Sequence, residues 1–132
     1  MPGHLIRRLQ QHSNQIFQEH MKQLDLDITS VQFAALSTLL AHQQLEQSQL
    51  ASLIAYDKAT IGGVITRMEK KGWINRIQSD TDKRAKLVTL TPEGLSLLTK
   101  LTPVVEGLQT VILQNLSPIE QQSFMQLARK AL

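Results

Sequence analysis

From His4 to Leu24 the apolar residues Leu5, Ile6, Leu9, Ile16, Phe17, Met21 and Leu24 recur near helical spacing, which predicts a long amphipathic helix. Asp25-Leu26-Asp27-Ile28 breaks the pattern. Thr29 then opens a second helix, with Gln32 as its capping-box partner and Phe33, Leu36, Leu39 and Leu40 as its apolar positions, ending at His42 or Gln43. A third, short helix is expected over Gln47 to Ala55, burying Leu50, Leu53 and Ile54, although Glu46 is a poor residue at its N-cap. In the fourth helix Ile61, Val64, Ile65 and Met68 fall at i, i+3, i+4 and i+7, a single stripe. Asp57 is expected to cap it, Lys70 and Lys71 suit its last turn, and Gly72 supplies the left-handed stop.

The period then changes. Trp73–Ile77 and Lys86–Leu90 partly alternate and read as short strands, joined by the polar, turn-forming stretch Gln78–Arg84. The pair predicts a β-hairpin with a charged tip. Thr91-Pro92-Glu93 starts a fifth helix carrying Leu95, Leu98, Leu101, Val105, Leu108 and Ile112, in which Pro103 is expected to kink or split the helix. Ser117-Pro118-Ile119-Glu120 starts a last helix that runs to Leu132. The fold class is therefore mainly α with a small β-hairpin wing, a winged helix-turn-helix flanked by N- and C-terminal dimerisation helices. One domain spans 1–132, with the winged part at about 29–91 and the dimerisation helices at about 3–25 and 92–132.

Composition narrows the picture. Hydrophobic residues make up 42% of the chain but aromatic ones only 4%, so the core must be aliphatic, as helix-on-helix packing allows. The absence of cysteine excludes disulfides, thiolate metal sites and thiol redox switches. No apolar run approaches the ~18 residues of a membrane span, and Met1-Pro2-Gly3-His4 has no signal-like apolar core, so a cytoplasmic protein with no membrane partner is expected. The net charge is +3, unevenly placed. Between Asp57 and Leu90, Lys58, Arg67, Lys70, Lys71, Arg76, Lys83, Arg84 and Lys86 face only Asp57, Glu69, Asp80 and Asp82, while acids slightly outnumber bases elsewhere. A basic island on a near-neutral body is the footprint of a nucleic-acid reader, although a solvated charged face has the same composition.

The polar face of the fourth helix consists of Lys58, Thr60, Gly62, Gly63, Thr66, Arg67 and Lys70. A helix fits the major groove of B-DNA, where Arg67 can address a guanine edge or a phosphate and the threonines can bond to either. Gly62-Gly63 costs about 0.8–1.0 kcal/mol per residue against alanine. Close packing against a neighbouring helix would account for the pair, and so would a bare backbone lying deep in the groove. At the wing, Lys83, Arg84 and Lys86 can follow the phosphates, and Arg84 can enter a narrow minor groove. Asp82 is expected to orient Arg84 through a charge-assisted pair.

The runs Asp57-Lys58-Ala59-Thr60 through Arg67-Met68-Glu69-Lys70-Lys71-Gly72, and Asp82-Lys83-Arg84-Ala85-Lys86-Leu87-Val88-Thr89-Leu90-Thr91-Pro92-Glu93-Gly94, resemble the MarR family of bacterial regulators over nearly the whole chain. The resemblance implies a homodimer interlocked through its first, fifth and sixth helices, a palindromic operator in double-stranded DNA and, often, a small effector that releases the DNA. Glu46 replaces the usual Thr or Ser cap, and Gly62-Gly63 replaces larger polar residues. Pro2-Gly3-His4-Leu5-Ile6-Arg7-Arg8 is similar to members controlling aromatic-acid breakdown, which points to a small aromatic carboxylate effector; the lack of cysteine argues against the peroxide-sensing branch.

No enzyme is expected. His4, His12, His20 and His42 are scattered, no triad or phosphate loop stands out, and His12 with His20 makes only a weak zinc pair. A helical protein-binding adaptor remains the alternative to a DNA-binding repressor, and it leaves the basic hairpin unexplained. Leu5, Leu9, Leu108, Ile112, Leu116, Phe124 and Leu127 exceed what a small winged core can cover, so a second copy is expected to bury them. An effector site is expected between the dimerisation helices and the winged part. His12, Phe17, Phe33 and Leu36 would form its walls and Arg7 or Arg8 would pair a carboxylate; all of these also fit core or interface roles.

Overall fold

The computed structural model describes residues 1–82 and 84–132. Six helices and three strands follow in the order α1 (Pro2–Gln23), α2 (Ser30–His42), β1 (Gln44–Glu46), α3 (Gln47–Leu53), α4 (Ile61–Lys70), β2 (Ile74–Gln78), β3 (Lys86–Leu90), α5 (Pro92–Ile112) and α6 (Pro118–Ala131) among the described residues. The start signals act as expected. Thr29 and Gln32 close a reciprocal capping box at α2, and Ser117 and Glu120 close another at α6. Pro92 and Pro118 occupy first-turn positions, where their missing N–H groups cost nothing.

The end of α4 is a Schellman motif. Gly72 has φ +79, its N–H donates to the Glu69 carbonyl, and the Trp73 N–H reaches the Met68 carbonyl. The same pair of bonds ends α1 and α3, with Asp25 and Ala55 in the left-handed position.

Four expectations change. The sheet has three strands in the order β1-β3-β2, all antiparallel, with Leu45 opposite Val88 and Ile74 opposite Leu90. Strand β1 is too short to show an alternation, and Gln43, at φ 66, turns the chain into it. Helix α3 stops at Leu53, which is exposed at its end; the buried residues are Leu50 and Ala51. The N-cap position of α4 falls at Thr60 instead of Asp57, and the Thr60 side chain makes no capping bond there. The Asp57 carboxylate accepts the Ala59 N–H and its carbonyl takes both Thr60 and Ile61 N–H groups, forming a separate turn that leads into the helix. Finally, of the kink or split expected at Pro103, the split does not occur, and α5 runs through the proline as one helix. Leu98, Leu101 and Leu108, on both sides of the proline, are buried in one core with Phe17, Met21 and Leu36 of α1 and α2.

The core is aliphatic, as the composition requires. The whole predicted stripe of α4 lies inside it, at 4% exposure or less, so the opposite face of α4 is necessarily turned outward. No helix of the described residues is long and apolar enough to cross a membrane.

Candidate nucleic-acid interface

Burial of Ile61, Val64, Ile65 and Met68 leaves Lys58, Thr60, Gly63, Arg67 and Lys70 exposed and Gly62 and Thr66 half-buried. The wing returns toward the start of this helix. Lys58 and Ile61 share a cleft of about 300 Å³ with Glu46, Gln47, Ser48, Arg84, Ala85 and Lys86. The fold thus brings Lys58, just before α4, and Arg84 and Lys86 at the wing to one place, although about 26 residues separate Lys58 from Arg84 along the chain. Lys83 lies outside the described residues.

The glycines are not close-packed against a neighbouring helix. A Cβ on Gly62 would meet only the Gln47 carboxamide, at 3.4 Å, and one on Gly63 only the Arg67 guanidinium, also at 3.4 Å. The Arg67 side chain folds back toward the helix N-terminus, as long side chains on helices do, and lies along the bare backbone of Gly63. Thr60 and Thr66 are less free than their sequence positions suggest. The Thr60 hydroxyl donates to the Asp57 carbonyl and the Thr66 hydroxyl to the Gly62 carbonyl, at 3.2 and 2.9 Å.

The wing tip is organised by two short side chains. The buried Ser79 hydroxyl accepts from the Thr81 and Asp82 N–H groups, and the Asp82 carboxylate accepts the Arg84 main-chain N–H at 3.0 Å. The expected pairing of the two side chains is replaced by this bond. Residues two apart in a tight turn bring carboxylate and N–H together, and the guanidinium is left pointing out, exposed, with no ion pair to Asp82 among the described residues.

Two bases of the island serve the fold. Lys71 pairs with Asp27 at 3.3 Å and lies 4.7 Å from the Trp73 ring centroid, tying the α1–α2 connection to the end of α4. Arg76, on β2, bonds to Thr66, Glu69 and Gln47. Neither role is visible from spacing, because the partners lie on different elements.

The expected effector residues divide between two cavities. Phe17 and Phe33, with centroids 6.3 Å apart, line one of about 390 Å³ between α1, α2, α3 and α5, together with Ser13, Ser37 and Gln109. Arg8 and His12 line another of about 400 Å³ against Asn115, Leu116 and Phe124. Ile112 borders both, and its carbonyl bonds the His12 Nε2 at 3.0 Å. Leu36 is fully buried in the core and borders neither, and exposed Arg7 also lies outside both.

An outward-facing helix stacked on a second short helix, with a basic hairpin beside its start, defines a winged helix-turn-helix regulator. Residues 28–86 match the profile of the MarR family. The transcriptional regulator HosA of Escherichia coli is 35% identical over 119 residues, 88% of each chain. Among solved structures, BpsR of Bordetella bronchiseptica, described by the regulation of its DNA binding by 6-hydroxynicotinic acid, superposes with a TM-score of 0.87 at 31% identity, covering 98% of this chain and 96% of that one. A cysteine-to-serine mutant of E. coli MarR, complexed with operator DNA, superposes at 0.86 with 27% identity, covering 98% and 92%. The chain belongs to the MarR family and is a transcriptional regulator.

Proposed function

We propose that this chain is a homodimeric repressor that reads a palindromic operator with α4 in the major groove and the wing on the adjacent backbone or minor groove. The observation that carries this reading is the shared cleft of Lys58, Arg84 and Lys86 beside the exposed face of α4, where cations without acidic partners among the described residues converge on one surface. Arg67 and Lys70 extend that surface along the helix. Two copies related by a two-fold axis would address half-sites about 34 Å apart.

The dimer is supported by the arms. Helix α6 has no buried residue within its own chain, and Leu5, Ile6, Ile119 and Leu127 are more than half exposed. An apolar surface of this kind on a DNA-binding protein calls for a second copy. A small aromatic carboxylate is the proposed effector. Its ring would lie against Phe124 in the cavity that Arg8 and His12 line, with Arg8 as the cation for its carboxylate, or against Phe17 and Phe33 in the neighbouring one.

The test is a fluorescence-anisotropy titration of the purified protein on duplexes selected from a random pool, at several salt concentrations, with and without hydroxybenzoate- and hydroxynicotinate-type acids. Binding should be tight, sequence-selective and steeply weakened by salt. Failure to bind any duplex would favour the adaptor reading, and a monomer by sedimentation at micromolar concentration would remove the dimer.

A further inference from the structure

Three acceptors from two helices converge on one guanidinium of the wing. Arg76 lies in the middle of β2, opposite Val88 of β3. Its Nη2 donates to Thr66 Oγ1 at 3.3 Å and to Glu69 Oε1 at 3.4 Å, both on α4, and its Nη1 donates to Gln47 Oε1 on the first residue of α3 at 3.5 Å. The Thr66 hydroxyl passes the connection on to the Gly62 carbonyl. Gln47 also lies beside Gly62, where a Cβ would meet its carboxamide at the ordinary contact distance of 3.4 Å.

The Arg76 side chain is only 18% exposed and already faces a carboxylate. A phosphate contact would have to compete with both conditions. Glu69, in turn, is an acid on the helix that faces DNA, where an unpaired carboxylate would repel phosphates. The planar fork of a guanidinium can serve several acceptors in fixed directions, which an ammonium cannot do. The geometry thus makes one cation the common point of α3, the reading helix and the wing.

We propose that Arg76 is a positioning residue: it sets the pose of α4 relative to the wing through Gln47, Thr66 and Glu69, and so governs operator selectivity without touching DNA. The proposal rests on the reading that α4 and the wing bind DNA.

The test compares the parent with Arg76→Gln, Arg76→Lys and Glu69→Gln on two duplexes: one selected by the parent from a random pool, and its scrambled counterpart. Measurements are made well below each variant's melting temperature and over a range of salt. Both Arg76 variants should weaken selected-duplex binding roughly tenfold, the scale of a lost hydrogen bond to a charged group, and leave the scrambled duplex and the salt slope unchanged. Glu69→Gln should weaken selected-duplex binding several-fold, although it removes a negative charge that by itself opposes DNA.

Glu69→Gln binding the selected duplex as tightly as the parent, or more tightly, would overturn the proposal, and this variant decides the matter if Arg76→Gln does not fold. Equal weakening on both duplexes by Arg76→Gln, with a salt slope reduced by about 1, would make Arg76 a phosphate contact instead. A parent that selects no duplex would overturn the DNA-binding reading itself.

Discussion

A Cβ placed on Gly94 would stand 2.0 Å from the carbonyl oxygen of Trp73. The same carbonyl accepts the Thr91 N–H at 3.0 Å, while the Thr91 hydroxyl donates to the Gly72 carbonyl at 2.6 Å and accepts the Gly94 N–H at 3.0 Å. Thr91 and Gly94 therefore fasten the start of α5 to the corner between α4 and β2. Backbone meets backbone here, so no rotamer change can make room. Gly94→Ala should cost about 1–3 kcal/mol, the usual range for overpacking, and lower the midpoint of denaturant unfolding. An unchanged midpoint would show that the corner can open freely.

Gly63→Ala should separate stability from function. Alanine suits a helix better, so the fold should gain about 0.5–1 kcal/mol. The added methyl would touch the end of the flexible Arg67 side chain at 3.4 Å, so any effect on binding runs through that guanidinium. Operator affinity should fall by no more than about 1 kcal/mol, the lower end of what an arginine base contact contributes. A double-mutant cycle with Arg67→Ala checks the cause, because Gly63→Ala should have no further effect on binding once the guanidinium is gone. Additive losses would place the effect of Gly63 elsewhere.

At the wing, the bond from the Arg84 N–H to Asp82 predicts opposite behaviour for two similar substitutions. Asp82→Ala releases the tip and should weaken DNA binding by about 0.5–1.5 kcal/mol, even though an acid has been removed from a DNA-facing surface. Asp82→Asn keeps an acceptor oxygen and should bind at least as well as the parent. Arg84→Ala should lower the salt slope of binding by about 1, as expected for one lost phosphate contact. Anisotropy titrations over a salt series would check all three, and tighter binding by Asp82→Ala would show that its charge matters more than its bond.

Much of this architecture is legible in the sequence because it rests on local rules. The buried stripe of α4, the boxes at Thr29 and Ser117 and the stop at Gly72 each depend on residues within one or two turns of each other. The elements that escape are non-local. Strand β1 exists because β3 offers it an edge, and Arg76 and Lys71 look like members of a DNA-binding cluster until their partners on other elements are seen. The glycine pair is a third case. Its spacing suits helix packing and groove approach equally well, and only the structure shows that the neighbours of the two glycines are the ends of two flexible side chains, Gln47 and Arg67, at ordinary contact distance. On the effector side the aromatic and cationic residues could be picked by type, but their division between two cavities depends on how α1 lies along α5.

The start of α6 should be sensitive to acid. The Ser117 N–H donates to Glu120 Oε1 at 2.8 Å, and the Glu120 N–H donates to the Ser117 hydroxyl at 3.2 Å. The backbone bond from Ser117, helped by its side chain, favours the ionised carboxylate and holds Glu120 below the usual glutamate range. Because the folded value is the lower one, the stabilisation is complete above the pH at which an unfolded glutamate titrates. It is lost as pH falls through the folded value. Since α6 has no fully buried residue in its own chain, fraying of its first turn would be felt mainly where the second copy is proposed to dock. NMR titration of the Glu120 carboxyl should show a midpoint below that of an unstructured glutamate, and Glu120→Gln, whose amide oxygen can still accept the Ser117 N–H, should remove the pH dependence of the protection factor at the Ser117 amide. A Glu120 midpoint at or above the ordinary value would mean that the capping box does not hold its charge in solution.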